Sequence, residues 1–242
     1  MQMQISCFRS LTVLVVTIAL AGCGRENDLF PRRGERRGPS AGQATAGAGS
    51  TSNDSDAADP RPVITAFGDS LTAGMGADPS ASYPAVLERS LNSKGYRYRV
   101  VNAGVSGDTS STGLVRVDSV LAYHPKIVIL ELGANDGLRG LPVETTRANL
   151  ELILAACQQS GARVVLAGMK LPPNYGPEYI EPFERMFVEL AQKYNAARVP
   201  FLLEGVAAQP GLMQADGLHP NSAGCRIVAA NVMRVLEPLL EK

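Results

Sequence analysis

Tryptophan is absent from this chain of 242 residues, histidine occurs twice, and seven tyrosines and six phenylalanines are all the remaining aromatics except histidine. So few flat side chains leave little on which to stack the bases of a single strand. Neither sign of charge prevails: 23 Lys plus Arg balance 23 Asp plus Glu, so no overall field draws the chain to nucleic acid or acidic ligands. Four cysteines, Cys7, Cys23, Cys157 and Cys225, form no C-x-x-C pair, and no histidine cluster accompanies them. That argues against a metal site, and no cofactor is expected. Whether Cys157 and Cys225 form a disulfide or two buried thiols stays open, because spacing alone does not set their distance. No internal repeat is visible. No apolar run is long enough to span a bilayer comfortably; that of residues 11–19 is too short.

That run has a different meaning. Arg9 precedes it and the small residues of Leu20-Ala21-Gly22-Cys23 close it, the pattern of a secretory leader. Leu-Ala-Gly-Cys also resembles the bacterial lipobox. The resemblance implies a signal peptide over residues 1–22, lipidation of Cys23, and a lipoprotein of the cell envelope anchored to a membrane. Residues 23–61 are rich in Gly, Ala, Ser, Arg and Asp without apolar periodicity, which predicts a flexible tether. Residues 62–242 are long enough for one domain with a substantial core.

In that domain apolar runs alternate with helical patterns. Strands are predicted at 63–67, 98–102, 126–132, 163–167 and 199–203. Helices are predicted at 83–94, 114–123, 143–159, 177–194 and 222–240. Near-continuous apolar strands separated by helices point to a parallel sheet covered on both faces: an α/β fold, a flavodoxin-like three-layer α/β/α sandwich with five strands.

Ligands of such sheets bind outside the carboxyl ends of the strands. Four polar, glycine-rich turns fall on that rim: Gly68-Asp69-Ser70-Leu71, Asn102 to Asp108, Gly133-Ala134-Asn135-Asp136 and Asp216-Gly217-Leu218-His219. Gly68 and Gly74 suggest unusual backbone angles on either side of Ser70. A serine hydroxyl needs a base to become a nucleophile. His124 precedes the third strand and so lies on the opposite rim; His219 lies on the right one, with Asp216 three residues away to orient it. Ser70 N–H, Gly107 N–H and the Asn135 side chain are candidate donors to a tetrahedral oxyanion. Asp69 and Asp136 are expected in supporting roles, and Glu131 is out of place in an apolar strand.

These four blocks, with Pro220 after His219, resemble those of the SGNH hydrolase superfamily, the GDSL esterases and lipases. "VVNAGVSGDTS", "ILELGANDGLRGLP" and "PPNYG" are similar to its bacterial arylesterase and lysophospholipase/thioesterase branch. The resemblance implies a carboxylic ester hydrolase with catalytic Ser70, Asp216 and His219, and with Ser70, Gly107 and Asn135 as the oxyanion hole. The expected partner is a small ester or lipid, with no nucleic acid and no partner protein. Two alternatives are a cell-envelope polysaccharide O-deacetylase of the same superfamily and a non-catalytic lipoprotein binding module. The rim residues Met75, Leu138, Leu141, Pro172, Pro173, Tyr175, Leu212 and Met213 are mostly apolar, with Arg139 and Lys170 as the charges, which favours apolar acyl or aryl groups.

Overall fold

The computed structural model describes residues 59–242; the expected leader, Cys23 and the tether up to residue 58 lie outside them. The chain runs β1 (Val63–Gly68), α1 (Ser70–Ala73), α2 (Tyr83–Ser93), β2 (Arg99–Gly104), α3 (Ser110–Val115), α4 (Val117–Leu121), β3 (Ile127–Glu131), α5 (Ala134–Leu138), α6 (Val143–Gln159), β4 (Arg163–Ala167), α7 (Pro177–Lys193), β5 (Ala197–Val199) and α8 (Ser222–Leu236).

The five strands form one parallel sheet in the order β2-β1-β3-β4-β5. Every residue of β1 and β3 is buried, as strands covered on both faces must be. Helices α2 and α8 pack together on one side, while α6 lies against α3, α4 and α7 on the other. After β2 the chain crosses back over β1 to add β3. Such a reversal opens a crevice at the carboxyl ends of β1 and β3, and this is where an open α/β sheet places its ligand.

The short helices α1 and α5 were not expected, α8 ends at Leu236 and not at 240, and two further elements differ from the sequence expectation in a way that has a local cause. The fifth strand lies at Ala197–Val199 rather than 199–203, because Pro200 has no N–H with which to continue a ladder. The helix expected over 114–123 is two short helices that meet at Arg116, and the first begins earlier, at Ser110, behind a Thr109 capping box. Cys157 and Cys225 are buried and unpaired, so the disulfide alternative does not hold. Burial pushes the Cys157 thiol up to about 12.

The two ends of the described chain meet on Tyr98, just before β2. Its carbonyl accepts from Arg61 Nη1 at 3.2 Å, and its hydroxyl accepts from Glu241 N–H at 3.1 Å.

Candidate active site

Strand β1 stops at Gly68, and the next residue turns the chain into α1. The Asp69 side chain accepts from Leu71 N–H at 2.9 Å, which caps the helix and leaves Ser70 as its first residue. Gly74 ends the turn with φ +78°, the left-handed conformation expected of it. Gly68 is needed for a different reason. A Cβ there would sit 2.1 Å from Thr72 Oγ1 and 2.6 Å from the Glu131 carbonyl, so the demand is for space and not for angle.

His219 and Asp216 reach the same place from the loop before α8. A bridge between Met213 and Pro220 and the Gln214 N–H bond to the His219 carbonyl, at 2.8 Å, close this turn. Gln214 Nε2 then donates to the Met75 carbonyl at 2.7 Å, tying the histidine turn to the segment that follows Ser70. His219 Nε2 lies 2.9 Å from Ser70 Oγ, and His219 Nδ1 lies 2.7 Å from Asp216 Oδ2. Asp216 Oδ1 also accepts the backbone N–H groups of Leu218 and His219. The bond from His219, followed by these two, holds the Asp216 carboxyl down at about 2. Asp216 is 41% exposed against 14% for His219. So placed it can fix the orientation of the ring, while solvent screens its charge. His124 is exposed in the turn before β3, away from these groups.

The loops after β2 and β3 complete the crevice. Gly107 lies at φ +87°, and neither its N–H nor that of Ser70 is bonded within the described residues. Asn135 behaves otherwise. Its amide donates to Asp69 Oδ2 and to the Asp108 carbonyl, both at 2.9 Å, so both hydrogens are committed. It can serve an oxyanion only by sharing one of them. Arg139 does not line the cavity; its Nη2 donates to the Gly107 carbonyl at 3.1 Å and steadies that peptide.

Three supporting groups have partners that the sequence reading did not name, and one of them, Arg116, it did not single out at all. Arg116 bonds Asp108 Oδ2 through Nε at 2.6 Å and the carbonyls of Ala103 and Gly68 through its two other nitrogens, each at 2.9 Å. Its guanidinium lies 4.7 Å from the centre of the Phe67 ring. One side chain thus clamps the ends of β1 and β2 to the Gly107–Asp108 loop. Asp136, expected only as a support, accepts from Ser110 N–H and Oγ, fastening α5 to the start of α3. Glu131, at the end of β3, accepts from Thr72 Oγ1 at 2.7 Å and from Asp69 N–H at 3.1 Å. No sequence spacing marks these partners; the only local signal was a carboxyl within "KIVILEL".

Beside Ser70 lies a cavity of about 730 Å³. Of the expected rim residues, Met75, Leu138, Pro172, Pro173 and Met213 line it, together with Lys170. Leu141, Tyr175 and Leu212 do not: Tyr175 instead donates its hydroxyl to the Leu138 carbonyl, and Leu212 packs against the core. The depth comes from residues not singled out, among them Met169, Leu171, Phe201 and Leu203. Phe201 and Leu203 became available because β5 ends before Pro200. No group of three or more His, Cys, Asp or Glu among the described residues could hold a metal ion.

Residues 66–227 match the model of the GDSL-like Lipase/Acylhydrolase family. The chain is 47% identical to Esterase TesA of Pseudomonas aeruginosa over 179 residues, covering 74% of this chain and 89% of that one. It is 40% identical to Thioesterase 1/protease 1/lysophospholipase L1 of Escherichia coli over 179 residues, with 74% and 85% covered. The crystal structure of TesA aligns with a TM-score of 0.71 at 46% identity, covering 74% of this chain and 99% of that one. That of AlinE4, an SGNH-hydrolase family esterase, aligns at 0.63 with 44% identity, covering 75% and 98%.

Proposed function

Because the chain belongs to the GDSL-like lipase/acylhydrolase family, and is with it a carboxylic ester hydrolase, we propose that it cleaves esters and thioesters of apolar acyl or aryl groups with Ser70 as nucleophile. The observation that carries this is the chain Ser70 Oγ, His219 Nε2, His219 Nδ1, Asp216 Oδ2, with separations of 2.9 and 2.7 Å, opening on the apolar cavity. Ser70 Oγ attacks the carbonyl carbon and its proton passes to His219 Nε2. The oxyanion is received by the N–H groups of Ser70 and Gly107, and by Asn135 through a shared hydrogen. His219 gives the proton to the departing alkoxide or thiolate, leaving an acyl-serine. A water then loses a proton to His219, attacks the acyl carbon, and the proton returns to Ser70 Oγ as the acid leaves.

Each methylene buried in such a cavity contributes about 0.8 kcal/mol, whereas a sugar would want several paired polar side chains, and beyond Asp69, Ser70, Asn135 and His219 this lining offers only Ser106 and Lys170. We expect aryl and acyl esters of about four to eight carbons to exceed acetylated polysaccharide in kcat/KM by tenfold or more, an advantage of the size that two buried methylenes supply. A fluorophosphonate probe should label wild type once per chain and leave Ser70→Ala unlabelled. Faster turnover of acetylated xylan or peptidoglycan would replace this reading with the deacetylase; labelling of another serine would overturn the assignment of Ser70.

The proposal extends to place. Leu20-Ala21-Gly22-Cys23 supports export as a lipoprotein acylated on Cys23 and facing the periplasm or the outside. Mass spectrometry of the mature N-terminus tests it, an unmodified terminus being the refuting result.

A further inference from the structure

Beneath the nucleophile turn lie two carboxyl groups that the reaction does not use. Asp69 and Glu131 are 1% and 0% exposed, and Glu131 is the only buried glutamate among the described residues. Glu131 Oε2 takes the Thr72 hydroxyl and the Asp69 N–H, while Oε1 has no hydrogen-bond partner among them. Two ionised carboxylates side by side in a dry site are strongly unfavourable unless a cation neutralises one of them. The groups that act on Glu131 are Asp69 and Thr72, and neither is cationic. Tyr83 from α2 reaches it only through Thr72 Oγ1, at 3.1 Å. Arg116 is directed to Asp108 and to the carbonyls of Ala103 and Gly68.

The two acids are not equivalent. Burial raises the Asp69 carboxyl to about 6, but the bonds it accepts from Leu71 N–H and Asn135, and the charge of His219, pull the other way and favour its ionised form. Glu131 is deeper, and burial and the neighbouring Asp69 both push it well above the usual carboxylate range.

We propose that Glu131 is a positioning residue retained as a neutral acid: it keeps one proton against the Asp69 carboxylate, and through Asp69 N–H and Thr72 Oγ1 it sets the turn that presents Ser70. The charge left on Asp69 grips the Asn135 amide. A single proton thus keeps the nucleophile and an oxyanion donor in register. The positioning role rests on the assignment of Ser70 above; the protonation does not.

Three measurements test it. Glu131→Gln keeps the size and the accepting oxygen, so kcat stays within about threefold of wild type, whereas Glu131→Leu strands two donors and lowers kcat about tenfold or more at unchanged KM. Stability supplies a readout free of catalysis. A carboxyl whose folded pKa is raised contributes stability below its unfolded pKa and loses it as pH rises toward the folded value. Wild type should therefore lose about tenfold in folding equilibrium constant per pH unit relative to Glu131→Gln, from about pH 5 upward. In wild type labelled with 13C at its glutamate carboxyls, one signal should stay protonated at neutral pH. The proposal is overturned if Gln is as impaired as Leu, if the two stability curves run parallel, or if every glutamate signal ionises in the ordinary acid range. The labelled wild type decides the matter even if Glu131→Gln does not fold. Failure of the Ser70 assignment would show in probe labelling and leave the stability and labelling results untouched.

Discussion

Asn135 has two amide hydrogens, and both are bonded before any substrate arrives, one to Asp69 and one to the Asp108 carbonyl. The bonds fix the amide plane, so in the oxyanion role proposed above little reorganisation would remain when charge develops on a substrate carbonyl oxygen. They also limit what Asn135 can give, because a shared hydrogen is weaker than a free one. Loss of a single oxyanion donor costs ~10²–10³ in kcat, about 2.7–4 kcal/mol, and we expect Asn135→Ala near the lower end with KM little changed. Steady-state kinetics check this, and activity within twofold of wild type would make Asn135 a structural brace only. At this scale the sequence was informative where chemistry is unusual: a serine between glycines, a histidine three residues after an aspartate. Arg116 and Glu131 were unreadable in role because their partners lie elsewhere in the chain. Arg116 bonds Gly68, 48 residues away, and Glu131 bonds Asp69, 62 residues away.

Among the elements, the boundary between β1 and α1 is the most tightly specified. Gly68 admits Thr72 and Glu131 into space that any side chain would occupy, and the Glu131 carbonyl belongs to backbone in the middle of the sheet. Overpacking of a core costs about 1–3 kcal/mol, and a backbone neighbour that cannot swing aside puts Gly68→Ala at about 3 kcal/mol or more. Urea denaturation measures it; a variant as stable as wild type would mean that β3 yields more readily than its pairing on both sides implies. Strands β1, β3 and β4 and helices α2, α6 and α7 were legible because long apolar runs or helical spacing mark them. Helices α1 and α5 were not, since four or five residues carry no periodicity and exist by virtue of the turns that begin them. Strand β5 was misplaced by two residues because 199–203 is the more apolar run, and apolarity there serves the cavity, through Phe201 and Leu203.

On the scale of the whole domain, strand order turns four separate loops into one site. Because β1 and β3 are neighbours and the chain leaves them in opposite directions, the residues after each face a common crevice, with the β2 loop and the histidine turn closing it. Pattern reading located these loops on one rim without knowing the strand order, since all-parallel strands put every carboxyl end on the same side. It could not measure the cavity, whose size depends on how the loops around Leu171, Phe201 and Leu203 pack against one another.

The meeting of the two chain ends on Tyr98 gives the domain a property that concerns connectivity rather than catalysis. Residues 61 and 241 contact the same residue at the amino edge of β2, one through its carbonyl and the other through its hydroxyl, and the proposed catalytic groups follow the carboxyl edges of the strands. A short Gly-Ser link could therefore join residue 242 to residue 59, and the ring could be reopened elsewhere without touching the site. Gly161, in the turn between α6 and β4, is such a place: a Cβ there would meet nothing within 4 Å. A permutant beginning at Gly161, which like Ser160 is exposed, should keep its kcat on aryl esters within about threefold, since surface ends of this kind are the ones that tolerate being moved. Loss of activity in a folded permutant would show that the order of synthesis matters to the site. The same geometry makes the domain a cassette, able to be spliced through both ends into a surface loop of a host protein while its mouth faces away from the graft.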